Sequence, residues 1–338
     1  MATMNVQMKR FSVVSTRPFE EVVERLITTI GHPDLNAFTE AMAAAKDLAD
    51  LEKVVQGAIG PSGLMEFVRF DPGEVLRKEH GGEGFKMLRL VVGNPLIMKE
   101  MAKAVPDAAA YAPLTILVDE RDDGVHLSYD SMASLLAPYE SEPAQAVARD
   151  LDVKFERLLE SAAGTEGKKM PTMEIQMKRV SIVSTRPFDE VVERLTATIG
   201  RPDIKAYYQG IAAARNLADL EKLVHGAIGS SGLMEFVRFD PGEVLRKERG
   251  GEGFKMLRFV FGNPLIMKEL ARAVPDAASY APVTILVDER DDGVHLSHDS
   301  MVSLLTPYEI EPALAIARDS DLMIERLLEA AAGPDDDT

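Results

Sequence analysis

Shifted by 169 positions, this 338-residue sequence lies on itself without a gap. Ser15-Thr16-Arg17-Pro18-Phe19 recurs at 184–188, and Gly93-Asn94-Pro95-Leu96-Ile97-Met98 recurs at 262–267. A period this long marks a duplicated domain and excludes a solenoid, whose units run to roughly 20–50 residues. Each copy is long enough to bury a core of its own. The expected layout is a first repeat over 1–164, a linker over 165–172, a second repeat over 173–333 and a solvated acidic tail over 334–338.

Composition narrows the class of partner. Apolar residues are 46% and charged residues 28% of the chain, a globular balance rather than a disordered one. No apolar run approaches the roughly 18 residues of a membrane helix, and the first ten residues lack a secretory core. The chain has no cysteine, which removes disulfides, thiolate metal sites and cysteine nucleophiles and fits a reducing cytoplasm. Against 38 Lys plus Arg stand 55 Asp plus Glu, a net charge of −17. That charge repels nucleic acid and anionic membranes, and the lack of tryptophan leaves few stacking platforms. A small molecule is the expected partner; nucleic acid and membrane are not.

Within one copy, residues 4–15 alternate as a strand. Pro18 followed by Glu20 and Glu21 opens a helix whose apolar face carries Phe19, Val22, Leu26 and Ile30. Helices follow over 35–45 and 48–59, then a strand over 64–70. Asp71-Pro72-Gly73-Glu74 reads as a turn, with a single helical turn over 75–79 and a glycine loop over 81–84. A strand over 86–92 hands over to a helix at Asn94-Pro95, with Asn94 as N-cap. Strands over 114–120 and 125–129 are joined by Asp123-Gly124, a hairpin signal. Helices over 131–136 and 142–162 complete the copy. Hairpins with helices grouped beside them predict an α+β fold, an antiparallel sheet packed against helices in each copy.

These stretches resemble the domain of unknown function 302 family. The resemblance rests on residues 15–19, on Leu90 to Met98 with its Gly-Asn-Pro, on Ala112 to Asp119, and on Val125-His126-Leu127-Ser128-Tyr129-Asp130. Their counterparts lie at 184–188, 259–267, 281–288 and 294–299. Three departures stand out: the helical insert over 34–59 is long, the family's short helix after its second strand gives way to Asp71-Pro72-Gly73-Glu74 and the glycine loop, and Tyr129 is answered by His298. The resemblance implies an α+β fold, often dimeric, and no activity. Fusion of two such domains implies a pseudo-twofold pair inside one chain.

The copies also report on each other. Over 62–100 only His80/Arg249, Leu90/Phe259 and Val92/Phe261 differ, whereas over 27–59 fourteen positions differ, among them Phe38/Tyr207, Thr39/Tyr208 and Gln56/His225. Fixed loop geometry explains the quiet block as readily as a ligand site does. Phe259 and Phe261 sit two apart and enlarge one strand face, so they either line a pocket or repack a core.

Candidate chemistry is sparse. His126, Ser128 and Asp130 share a strand face, but neighbours there stand roughly 7 Å apart, too far for a nucleophile triad. A solvated or inter-domain polar face suits them better, with a ligand-contacting face second. The segment 119–124 resembles a calcium loop only superficially, since Arg121 holds a ligand position and strands flank it. The glycine loops at 81–84 and 250–253 match no phosphate cradle. The candidates for acid–base work are Asp71, Glu74 and Arg77 with Asp240, Glu243 and Arg246, provided burial raises a carboxyl pKa. The candidates for ligand contact are Arg17, Asn94, His126, Ser128, Tyr129, Arg186, Phe259, Phe261, Asn263, His295 and His298. Neither a metal nor a cofactor is implied. The leading expectation is a small-molecule binding protein, for an apolar or carboxylate-bearing ligand, built as an intramolecular dimer. A cofactor-free enzyme on the same pocket is the alternative, and an interaction module with an acidic surface is the third.

Overall fold

In the computed structural model the described residues are 1–79, 84, 86–167, 170–250 and 255–333. Most of both glycine loops and the tail over 334–338 therefore lie outside the described residues. The first repeat runs β1 (Ala2–Ser15), α1 (Phe19–Ile27), α2 (Leu35–Ala44), α3 (Leu48–Ala58), β2 (Met65–Phe70), α4 (Pro72–Glu79), β3 (Met87–Gly93) and α5 (Pro95–Ala102). It continues α6 (Ala108–Tyr111), β4 (Leu114–Arg121), β5 (Gly124–Asp130), α7 (Met132–Leu136) and α8 (Glu142–Ala163). The second repeat follows the same order with β6 (Thr172–Ser184), α9 (Phe188–Thr196), α10 (Ile204–Ala213), α11 (Leu217–Ala227), β7 (Met234–Phe239) and α12 (Pro241–Glu248). Then come β8 (Met256–Gly262), α13 (Pro264–Ala273), β9 (Val283–Arg290), β10 (Gly293–Asp299), α14 (Met301–Leu305) and α15 (Glu311–Ala332). In place of a second α6 stands a 3-10 turn, Pro275–Ser279.

Local chemistry explains most of these boundaries. Asp34, Asp47 and Asn94 each accept a backbone N–H at a helix start, from Ala37, Asp50 and Leu96, satisfying donors that would otherwise be orphaned. The expected turn after β2 is instead a full helix, α4. Asp71 accepts from the Glu74 N–H at 2.7 Å, Pro72 holds the first position, and Arg77 with Lys78 closes the last turn. These are N-cap and dipole signals read too weakly in the sequence because glycine stands between them. The short helix that the resemblance implies after the second strand is thus present.

Among the described residues ten strands form one antiparallel sheet in the order β2-β3-β4-β5-β1-β6-β10-β9-β8-β7. The halves join through β1 and β6, where Gln7 lies opposite Gln176, its own repeat equivalent. The pseudo-twofold axis passes between those two residues. Outer-face side chains pack against helices: Tyr129 stacks on Phe11 at 5.4 Å and on Phe155 of α8 at 5.4 Å. The sheet curls until its two edges meet, with Phe67 and Phe70 of β2 at 5.6 Å and 5.5 Å from Phe239 and Phe236 of β7. The curl brings α4 and α12 across the axis. Val75 and Leu76 of α4 are buried in the second repeat's core, and Val244 and Leu245 of α12 in the first's. Lys268 of α13 binds Glu79 of α4 at 3.1 Å, and Lys99 of α5 binds Glu248 of α12 at 3.2 Å.

Phe259 and Phe261, candidates for ligand contact, are core residues. Both are fully buried and stack on each other at 5.2 Å. A cross-strand row explains them: Leu90, Ile116, Tyr129 and Phe11 are neighbours in the first repeat, and Phe259, Ile285, His298 and Val180 in the second. The bulk has moved from one end of the row to the other, keeping the layer filled. Among the described residues, no helix is long and apolar enough to cross a membrane.

Candidate functional site

The concave face of the curled sheet carries charge. Arg10 of β1 is 3% exposed, so its guanidinium needs partners. It donates to Asp130 at 2.8 Å and Ser128 at 2.6 Å within its own repeat. From the other repeat, Asp276 accepts at 3.0 Å and Ser279 at 2.7 Å, with the Tyr280 hydroxyl at 3.2 Å. Arg179 repeats the arrangement with Asp299, Ser297 and Asp107. Burial raises the Asp130 carboxyl, and Arg10 opposes that. For Asp276 burial also raises, yet Arg10 and Arg121 outweigh it and hold the carboxyl low. Ser128 and Asp130 therefore face the inter-repeat seam and hold it together.

Two further arginines, Arg89 and Arg258, flank a small cavity of about 90 Å³ on the axis. Each donates Nη1 at 2.8 Å to a proline carbonyl of the opposite repeat, Pro282 and Pro113 respectively. Each also lies over a phenylalanine, Phe70 at 5.5 Å and Phe239 at 5.7 Å. Burial lowers their pKa values to about 10 and about 9.

Where β2 and β7 approach, the pseudo-symmetry produces two equivalent pockets of very different size. One, of about 640 Å³, is walled by α2 and β2 of the first repeat and by β7 and α12 of the second. Its apolar wall includes Met42, Phe67, Met98, Pro113, Phe236, Phe239 and Val244, and its polar margin includes Thr39, Asn94, Arg238, Asp240 and Glu243. The other, of about 40 Å³, is walled by the equivalent residues, among them Phe70, Pro72, Val75, Ile211, Phe236, Met267 and Pro282. Position 39 is one difference between them, and the open pocket also extends over Leu35, Phe38, Ile204 and Arg238. Exposed Thr39 of α2 borders the open pocket, and Tyr208 of α10 fills the same place in the closed one. A shallower hollow of about 680 Å³ lies along the second repeat's α10–α11 pair alone.

The structure disperses most of the remaining candidates. Arg17 and Arg186 pair with Glu21 and Glu190 at helix starts. His126 and His295 bond Asp123 and Asp292 in the hairpin turns. Tyr129 is wholly buried, and so is His298, which burial pushes down to about 4. Asn94 and Asn263 line the open and the closed pocket, with each side-chain oxygen capping a helix. Asp71 borders the closed pocket, Asp240 and Glu243 the open one. Asp71 and Asp240 are helix caps that also pair with Arg77 at 3.1 Å and Arg246 at 2.8 Å. Glu74 stands 3.9 Å from Lys78. Glu243 is the member of this set whose carboxyl is raised, by burial and then by Asp240. The pocket residues Met42, Phe67 and Phe239 escaped the sequence reading, since each reads as ordinary core until two distant repeats meet. Thr39/Tyr208 was visible as a difference between copies, but its meaning was not.

A family model described as "Domain of unknown function DUF302" matches residues 41–162 and again 211–331. The two matches begin inside α2 and α10. The crystal structure of an uncharacterized conserved protein DUF302 from Bacillus stearothermophilus is similar at 13% identity and a TM-score of 0.32, over 45% of this chain and 97% of that one. No curated protein matches the chain.

Proposed function

The chain belongs to the family described as domain of unknown function DUF302, a description that assigns no activity, and from that premise we propose that it binds one small apolar molecule where its two repeats meet. The observation that carries this reading is the size difference between the equivalent pockets, about 640 Å³ against about 40 Å³. A pocket of several hundred Å³, mostly apolar with a few polar groups at its margin, is the usual form of a small-molecule site. Methionines 42 and 98 suit an apolar ligand because the thioether adapts its shape. The experiment is titration of the full chain with Nile red, a neutral apolar fluorophore. Saturable binding is expected, lost in Thr39→Trp, an exchange at an exposed position on the pocket's edge. A signal that never saturates, or one unaltered by Thr39→Trp, contradicts the reading.

Glu243 supports a second reading, cofactor-free acid–base catalysis in the same pocket. Its raised carboxyl would hold a proton closer to neutral pH than an ordinary glutamate does. That reading requires a molecule recovered from the pocket to be converted by the protein and left unchanged by Glu243→Gln.

A further inference from the structure

Tyr208 shows what the pocket walls accept. In the closed pocket its ring lies among Phe70, Phe236, Ile211 and Pro282, and its hydroxyl is buried without a hydrogen-bond partner among the described residues. Behind that wall stands Arg89, bonded to the Pro282 carbonyl and lying over Phe70. Burial pushes the Tyr208 phenol up and the charge of Arg89 pulls it back, so the phenol lies within the field of that cation. The open pocket keeps each part except the ring. Phe239, Phe67, Met42 and Pro113 form the wall, and Arg258 stands behind it, bonded to the Pro113 carbonyl and lying over Phe239. Arg258 is 3% exposed, and its Nε is buried with no hydrogen-bond partner among the described residues. Thr39 leaves the place of the phenol empty.

We infer that the open pocket takes a molecule presenting a phenyl ring, seated as the Tyr208 ring is seated in the closed one. The inference rests on the small-molecule reading above and names the chemical class. Phe67 and Phe239 meet edge to face at 5.6 Å, an arrangement that receives a third ring by its edge or its face. Methionine sulfur at the ring edge adds to this. A hydroxyl on that ring gains no hydrogen bond in this seat, since in the closed pocket the Tyr208 hydroxyl and the Nε of Arg89 are both without a partner among the described residues.

The test uses p-cresol as probe and calorimetric titration of the full chain. Binding is expected to be saturable. 4-Methylcyclohexanol keeps the shape without the π-face and should bind about ten-fold more weakly. Toluene keeps the ring without the hydroxyl and should bind at least as tightly as p-cresol, since no hydroxyl is then buried unpaired. Thr39→Tyr places the closed half's phenol in the open half and should abolish p-cresol binding with an unchanged circular dichroism spectrum. Equal binding of p-cresol and 4-methylcyclohexanol, or undiminished binding to Thr39→Tyr, overturns the inference. Either result leaves Nile red binding, and the small-molecule reading, standing. Failure of Nile red to bind the unaltered chain sinks that reading instead.

Discussion

Tyr129 and His298 hold the same place in the two repeats and meet different surroundings. Tyr129 is stacked between Phe11 and Phe155, while the corresponding neighbours of His298 are Val180 and Ile324. Neither ring nitrogen of His298 has a hydrogen-bond partner among the described residues. Burial is the main cause that drives its pKa from an ordinary 6.5 to about 4, with Asp321 opposing and Arg179 reinforcing. The sign follows from linkage: the unfolded chain takes up a proton near 6.5, the folded chain only near 4. The stability contributed by the neutral imidazole is therefore complete above about pH 6.5 and is lost as pH falls toward 4. Between pH 7 and pH 5 the loss from this residue is about 2 kcal/mol. Urea unfolding at both pH values checks it: the drop in stability should be smaller by about that amount in His298→Phe. An equal drop in both proteins contradicts the buried neutral histidine. The sequence exposed the Tyr/His difference but not its burial, since a histidine on a strand reads equally well as a surface or a ligand group.

Elements were legible where one stretch of chain decides them. The Asn94-Pro95 helix start and the Asp123-Gly124 hairpin depend on neighbours in sequence, and the structure has both. Contacts made across the axis were not legible, because no local pattern announces them. Arg10 sits on β1 with Val6 and Met8 on the same face, and alternation there says only that the position is buried. Its partners Asp276, Ser279 and Tyr280 are more than 260 residues away. Arg10 thus ties β1 to the turn before β9. Replacing it by Met leaves Asp130 a buried carboxylate without its ion-pair partner and Asp276 with Arg121 alone, and should cost about 3–5 kcal/mol, the penalty for breaking a buried ion pair on one side. Urea unfolding measures it, and a loss below about 1 kcal/mol contradicts the bridging role. The same logic covers α4, whose cap is local but whose buried side chains Val75 and Leu76 belong to the other repeat's core.

At the scale of the whole molecule, the shift of 169 positions revealed two repeats, and the curl of their common sheet lay beyond it. Only the curl brings β2 against β7 and makes two equivalent pockets between the halves. The two are unequal, and the strongly drifted segment over 27–59 carries one pair that differs between them, Thr39 and Tyr208. Of two formally equivalent pockets, one is open. The number of Nile red molecules bound per chain, with and without Thr39→Trp, tests this most directly. The account predicts one in the unaltered protein and none in Thr39→Trp; two in the unaltered protein, or one in both, would contradict it.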